Sequence, residues 1–295
     1  MTGARVNIPT PRMSRRRRPK TSRGILHQLS RPPFRLRALG RHDGSCYRAM
    51  SAGRTRATCP HRSDQWDRTL IEMGNPTPDV SVQPVVVVGA GGHAKVIIEL
   101  IQAQGCYRVV GLIDADPTPR TVLGVQVIGA DRDLVRLRGS GINKAFVALG
   151  DNRRRVAIGR DLAHVGFEMI NAISRAAVIS PSAQLGRGVA IMAGAVVNAA
   201  TSIGDFAIVN TGALIDHDAT IAEGAHIGPG CALAGNVRIG RLACLGVGTS
   251  ATPGTTVGAG ALVGAGACIV RDIPDAAVAR GVPAKVISVQ QDRKL

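Results

Sequence analysis

Residues 202–239 read SIGDFAIVNTGALIDHDATIAEGAHIGPGCALAGNVRI, and an aliphatic side chain returns at every sixth place: Ile203, Val209, Ile215, Ile221, Ile227, Leu233, Ile239. Four residues behind each stands a small one: Ala207, Ala213, Ala219, Ala225, Cys231, Val237, Ala243. Traced outward, the beat runs from Ile173 to Ile269, and only Ala251 in the aliphatic series is small. A helix would space its apolar residues by three and four, and an ordinary strand by two. A sustained six requires a solenoid of hexapeptides. Each hexapeptide forms one side of a triangular coil, with the branched residue on the axis and the small one under the corner. Gly at the third place after the aliphatic residue, as at Gly212, Gly224 and Gly230, gives the tight corners a permissive backbone. Three hexapeptides close a coil, so residues eighteen apart stack about 4.8 Å from one another.

Polar departures from the beat carry the chemistry. The hexapeptide Ile215-Asp216-His217-Asp218-Ala219-Thr220 points a His flanked by two carboxylates away from the apolar axis. An imidazole held by a carboxylate is oriented and more basic, as a general base requires. Gly235 lies eighteen residues on, one coil beyond His217. Its unobstructed N–H is placed to meet an oxyanion forming beside that base. His226, nine residues from His217, is half a coil away and meets another subunit's His217 only if two prisms pack side by side.

Ahead of the solenoid, residues 81–172 read as an α/β unit. Val85-Val86-Val87-Val88 is a strand run ending in Gly89-Ala90-Gly91-Gly92-His93-Ala94, after which Val96, Ile97, Leu100 and Ile101 take helical spacing. Val109–Ile113 is a second strand closed by Asp114, and Ala145–Leu149 a third closed by Gly150-Asp151-Asn152, with a helix expected to follow through Arg160 and Leu162. Strand, glycine turn, helix and a strand with a terminal acid open a Rossmann-like unit whose helix N-terminus suits phosphate. Only one such half fits before Ile173, so a sugar nucleotide suits this unit better than a dinucleotide.

The charge is uneven. Of 37 basic and 20 acidic residues, 17 and 4 lie in residues 1–73, so +13 of the net +17 belongs to that quarter. Residues 1–80, with Arg15–Arg18 and Lys20, form a basic leader with too little apolar surface to offset its chain entropy, and it is expected to be disordered. It imitates a transit peptide. The abrupt change at Met73 makes that residue a candidate translation start, so that residues 1–72 need not be made in the native protein. The leader has no aromatic interleaving and no groove-reading motif, and no segment reaches about 20 apolar residues, so neither nucleic acid nor membrane insertion is expected. Six scattered Cys without CxxC spacing point to no zinc site and no disulfide scaffold, which fits a reducing cytoplasm.

Taken together, residues 83–287 resemble the bacterial hexapeptide-repeat sugar acetyltransferases, which include UDP-amino-sugar N-acetyltransferases and sialic acid O-acetyltransferases. The resemblance rests on Gly-Ala-Gly-Gly-His at 89–93, the stretch from Asn210 to His217 closing in Asp-His-Asp, Ala-His-Ile at 225–227, Ala-Gly-Asn at 234–236 and Gly-Val-Pro-Ala-Lys at 281–285. It implies a Rossmann-like α/β domain followed by an all-β left-handed parallel β-helix over residues 173–287, with a tail at 288–295. It implies acetyl-CoA as co-substrate, no metal, and a homotrimer with its sites between subunits. His217 would be the base, with Asp218 as its carboxylate partner, and Gly235 would donate to the thioester carbonyl. His226 and the backbone around Val247 and Ala265 would line the acetyl-CoA cleft, with Lys285 near the CoA phosphates. Gly91, Gly92, His93, Asp114, Asp151 and Asn152 would form the sugar-nucleotide pocket, with Asn210 near the acceptor. Where relatives carry Glu beside the base this chain has Asp216 and Asp218, so either acid can orient His217, and Gly91 stands where a Ser occurs. The expected reaction is acetyl transfer to the amino group of a nucleotide-linked amino sugar. The alternatives are O-acetylation of sialic acid or another sugar hydroxyl, a non-catalytic sugar-nucleotide-binding protein, and a γ-class carbonic anhydrase, which would need a third His in the repeat.

Overall fold

The computed structural model describes residues 82–290; the basic leader, the candidate start at Met73 and residues 291–295 of the tail lie outside them. β1 (Gln83–Val88) is buried on both faces, as an unbroken valine run requires. α1 (Gly92–Gln104), β2 (Tyr107–Ile113), a hairpin of β3 (Thr121–Val122) and β4 (Val125–Gly129), α2 (Leu134–Gly139), β5 (Lys144–Val147), α3 (Asn152–His164) and β6 (Glu168–Met169) follow. The sheet order is β3-β4-β2-β1-β5-β6, with β1 parallel to both β2 and β5. The chain after β1, β2 and β5 therefore leaves from one edge, which gathers Gly89–Gly92, Asp114 and Gly150–Asn152 around a common crevice. The sequence pattern missed the hairpin, α2 and β6; β3 and β6 have only two residues and α2 only six, too short for a period to register. The strand expected over Ala145–Leu149 lies at Lys144–Val147, and Leu149 belongs to the loop.

From β7 (Ala172–Ile173) to β23 (Cys268–Ile269) the chain is a left-handed parallel β-helix of two-residue strands, wound into three sheets that take six, six and five of them, the first reaching eight with the two strands that follow. Register follows the eighteen-residue rule: Val209 pairs with Ile227 and Ile227 with Leu245, while Ile215 pairs with Leu233. Both interior series form one continuous core. Each fully buried aliphatic side chain stabilises by about 1.5–3 kcal/mol, and because a coil touches only its neighbours these contributions accrue coil by coil. β24 (Ala277–Arg280) continues the eight-stranded sheet, and β25 (Lys285–Val289) folds back on it antiparallel, two residues past the expected boundary at 287.

From Leu185 to Val263 the third place after each aliphatic residue is left-handed, with φ of 65° at Gly212 and 64° at Gly230. Five of these corners hold that conformation without glycine: Ala200 at 56°, Phe206 at 58°, Asp218 at 58°, Asn236 at 60° and Leu242 at 59°. Phe206 and Leu242 share one corner line with Gly224, and α3 docks on that line. Val156 and Leu162 of α3 join Phe206 and Leu242 in one buried cluster. Gly159 brings the helix onto the Phe206 ring so closely that a Cβ there would strike it. On the neighbouring face, Ala94, Ile97 and Ile101 of α1 share a core with Ala190, Met192 and Ile208 of the eight-stranded sheet. Among the described residues no helix is long and apolar enough to cross a membrane, and no three His, Cys, Asp or Glu gather as a metal cluster.

Candidate active site

At the corner leaving the six-stranded sheet, the side chain of His217 is about half exposed, and its Nδ1 lies 2.7 Å from Oδ2 of Asp218. Left-handed backbone at Asp218 turns its carboxylate back onto the preceding ring. Asp216 serves the backbone instead: its Oδ1 accepts from the His217 N–H at 2.8 Å and from Asn198 Nδ2 at 3.0 Å. Of the two acids left open by the sequence, Asp218 is the one at the imidazole. The Asp218 hydrogen bond, followed by the Asp216 charge, raises the His217 pKa above the ordinary value of 6.5. With Nδ1–H donating to Asp218, Nε2 keeps the free lone pair.

Gly235 is buried beneath this ring, where a Cβ would lie 2.8 Å from Nε2 and 2.7 Å from Cε1. The next residue fixes the register, since the Asn236 N–H donates to the His217 carbonyl at 2.9 Å. Beside the same rung runs a mostly apolar groove of about 520 Å³ along Val196, Leu214, Ala232 and Ser250.

The residues assigned to the ligand pocket lie on a different face. At the glycine turn, Cβ atoms added to Gly91 and Gly92 would meet nothing within 4 Å, and Gly91 caps α1 with no side-chain hydrogen bond. This leaves the α1 N-terminus as an open, anion-seeking surface. Asp114 closes the turn from behind: Oδ2 accepts from the Ala90 N–H at 2.8 Å, while Oδ1 accepts from the Asp116 N–H and lies 3.2 Å from Arg120. Asp151 caps α3 by accepting from the Arg154 N–H at 2.9 Å. Asn152 spends its carboxamide inside the protein, donating to the carbonyls of Leu242 and Ala243 and accepting from Arg155.

His226 opens β16 (His226–Ile227) on the eight-stranded sheet, with its Nε2 3.1 Å from Nδ2 of Asn210. His93 sits in the first turn of α1, and its Nε2 is buried without a hydrogen-bond partner. Burial first, then the Arg155 charge, lowers both imidazoles to about 4; the field of His93 adds to the effect at His226. Both are therefore neutral near pH 7, His226 in contact with Asn210 and His93 with its Nε2 unpaired. One and two coils above His226, Cys244 and Leu262 face Gly150–Asn152 across a cavity of about 290 Å³. Val247 and Ala265 are exposed along the corner that leaves this sheet, and Lys285 is exposed at the head of β25.

Arg155 escaped the sequence pattern, which showed it only as the last of three consecutive arginines. Its signal was helical: residues 155, 156, 159 and 162 share the face of α3 that docks on the solenoid. The structure thus joins His217, Asp218 and Gly235 at one corner, and His226 and Asn210 on another face, with His93 in the turn beside it. Within one chain it does not bring His217 to His226.

A free imidazole lone pair on an open corner suits proton removal from an attacking group, and a helix end in the adjoining domain suits a phosphate. Fold and chemistry together define a hexapeptide-repeat acyltransferase. Comparison with known proteins narrows this class. Residues 84–162 match the PglD N-terminal domain family. A GDP-perosamine N-acetyltransferase from Caulobacter crescentus, solved with CoA and GDP-perosamine, is 51% identical with a TM-score of 0.69, covering 70% of this chain and 98% of that one. The acetyltransferase domain of PglB from Neisseria gonorrhoeae, solved with acetyl coenzyme A, is 42% identical with a TM-score of 0.65, covering 70% and 99%. UDP-N-acetylbacillosamine N-acetyltransferase of Bacillus subtilis is 37% identical over 111 residues, 37% of this chain. An uncharacterized mimivirus protein is 35% identical over 104 residues. The chain spans 51% and 20% of the lengths of these last two relatives. The chain belongs to the hexapeptide-repeat sugar N-acetyltransferase family.

Proposed function

We propose that this protein moves the acetyl group of acetyl-CoA to the amino group of a nucleotide-linked amino sugar. The Caulobacter relative's complex with GDP-perosamine favours a GDP-linked amino sugar as the acceptor. The observation that carries the reading is the His217–Asp218 pair over Gly235, because it is placed for proton transfer and leaves one imidazole nitrogen free. His217 Nε2 takes a proton from the amine as its nitrogen attacks the thioester carbonyl. The Gly235 N–H meets the developing oxyanion. The C–S bond then breaks, and the imidazolium returns its proton to the leaving thiolate. Neutral His226 and Asn210 hold the reactants on the other face, and the α1 N-terminus takes the nucleotide phosphates. Since the two faces diverge within one chain, the reaction uses His217 of one subunit and His226 of its neighbour in a homotrimer. The apolar groove beside the His217 rung suits such a contact.

The test is release of CoA thiol from acetyl-CoA across a panel of GDP-amino-sugars, UDP-amino-sugars and sialic acids. Turnover is expected with one amino-sugar nucleotide, and His217→Ala should lower it by about 10²- to 10⁴-fold while the protein stays folded, the usual span of general-base catalysis. Unchanged turnover in the variant would remove His217 from the mechanism, and release only with a hydroxyl acceptor would replace N- by O-transfer.

A further inference from the structure

Arg155 is 1% exposed, and among the described residues no carboxylate is bonded to it. Its guanidinium instead spends its donors on oxygens: Phe206 O at 2.8 Å from Nε, Leu149 O at 2.9 Å and Gly150 O at 3.3 Å from Nη1, Asn152 Oδ1 at 2.8 Å and Gly224 O at 3.0 Å from Nη2. A buried cation held only by neutral acceptors bears a desolvation cost that a surface position would avoid. Its partners explain why it is there. Phe206, Gly224 and Leu242 stand eighteen apart on one corner line, and the carbonyls of the first two accept from Arg155 while that of the third accepts from Asn152. The left-handed corner turns these three carbonyls toward α3. On the opposite side the guanidinium grips the carbonyls of Leu149 and Gly150, in the loop that closes one wall of the ligand crevice. Outside this clamp, Glu223 pairs with Arg160 of α3 at 2.7 Å and with Arg241 at 2.8 Å, so the ion pairs repeat the attachment at the surface.

We infer that Arg155 is a positioning residue for the sugar-nucleotide site: by reading successive corner carbonyls it fixes the 149–152 loop against the solenoid face that carries Asn210 and His226. It touches no ligand, since its donors are spent within the protein. Of the residues expected to hold acetyl-CoA, only His226 shares the face it positions, while Val247, Ala265 and Lys285 lie outside the carbonyls it binds. A shift of the loop would therefore be felt by the sugar nucleotide and little by acetyl-CoA. The inference rests on the proposed function for the identity of the ligand, but not for the placement of the loop.

The experiment compares the full chain with Arg155→Lys, which keeps the charge but cannot bridge both sets of carbonyls, and with Arg160→Ala, which removes only a surface pair. Amide hydrogen exchange is measured alongside equilibrium binding of GDP-perosamine and of acetyl-CoA. Arg155→Lys should speed exchange in the 149–155 segment by about 10-fold or more while leaving the solenoid strands unchanged, as expected for local opening. It should weaken GDP-perosamine by about 10-fold and acetyl-CoA by less than about 2-fold, since small misplacements act on the ligand they face. Arg160→Ala should leave both affinities near wild type. Unchanged exchange in the segment, or equal weakening of both ligands with faster exchange throughout, overturns the positioning role. Failure of the wild-type protein to bind GDP-perosamine counts against the proposed acceptor, and the exchange data still decide the placement of the loop.

Discussion

His217 and Asp218 are neighbours in sequence, and adjacent residues on a coil ordinarily diverge. They meet because Asp218 occupies a left-handed corner, a position that glycine fills at most corners of the solenoid, and its φ of 58° folds the carboxylate back. Asp tolerates the left-handed region better than most residues, at a modest cost in strain. The consequence is a pH signature. The base works only when neutral, so kcat/KM should rise with pH through the His217 pKa. The Asp218 hydrogen bond favours the protonated ring and carries that limb above the ordinary 6.5. In Asp218→Asn the limb should move to lower pH, toward the unperturbed value, and the plateau rate should fall because the imidazole loses its orientation. A pH–rate profile in which Asp216→Asn shifts the limb as far as Asp218→Asn does would contradict the geometry. The sequence offered both acids and could not rank them, because rank depends on a backbone dihedral. A sharper clue was the slot itself, since a charged residue in a glycine position marks a corner held for another purpose.

At the scale of elements, the solenoid was legible because each coil repeats the same burial, so one hexapeptide predicts the next. The helix after Asn152 was legible as well, but the way α3 docks was not. Its docking face is written in non-repeating terms: Arg155, Val156, Gly159 and Leu162 on the helix, Phe206 and Leu242 on two corners. Glycine inside a helix costs about 1 kcal/mol relative to alanine, so Gly159 reads from sequence as a weakness. The structure shows the reason, because the Phe206 ring, 1% exposed, lies where a Cβ would go. Gly159→Ala should therefore destabilise by about 1–3 kcal/mol despite the better helix propensity, the usual cost of overpacking. Combined with Phe206→Leu, the penalty should largely vanish, so that the two changes are non-additive in chemical denaturation. Additive losses would mean that helix and ring do not compete for the same space.

For the whole molecule, the decisive feature is that the proposed base and the proposed acetyl-CoA cleft face different directions. His217 stands at the corner leaving the six-stranded sheet, while His226 lies on the eight-stranded sheet, and the coil between them is filled by the buried core. The sequence already implied this separation through the nine residues between the two histidines. It could not show how the adjoining domain covers the lower coils of one sheet and leaves the upper coils open. A site shared between neighbours in a closed ring makes a quantitative prediction. Subunits carrying His217→Ala still supply an intact His226 face, and subunits carrying His226→Ala still supply an intact base. Either variant alone should be nearly inactive. Co-expressed in equal amounts and assembled at random into trimers, they should recover about one quarter of wild-type activity, because each mixed ring regains one intact site in three. Light scattering on the same sample should give the mass of three chains. No recovery from a trimeric mixture would place both histidines of each site within one subunit, and an active monomer would exclude a shared site altogether.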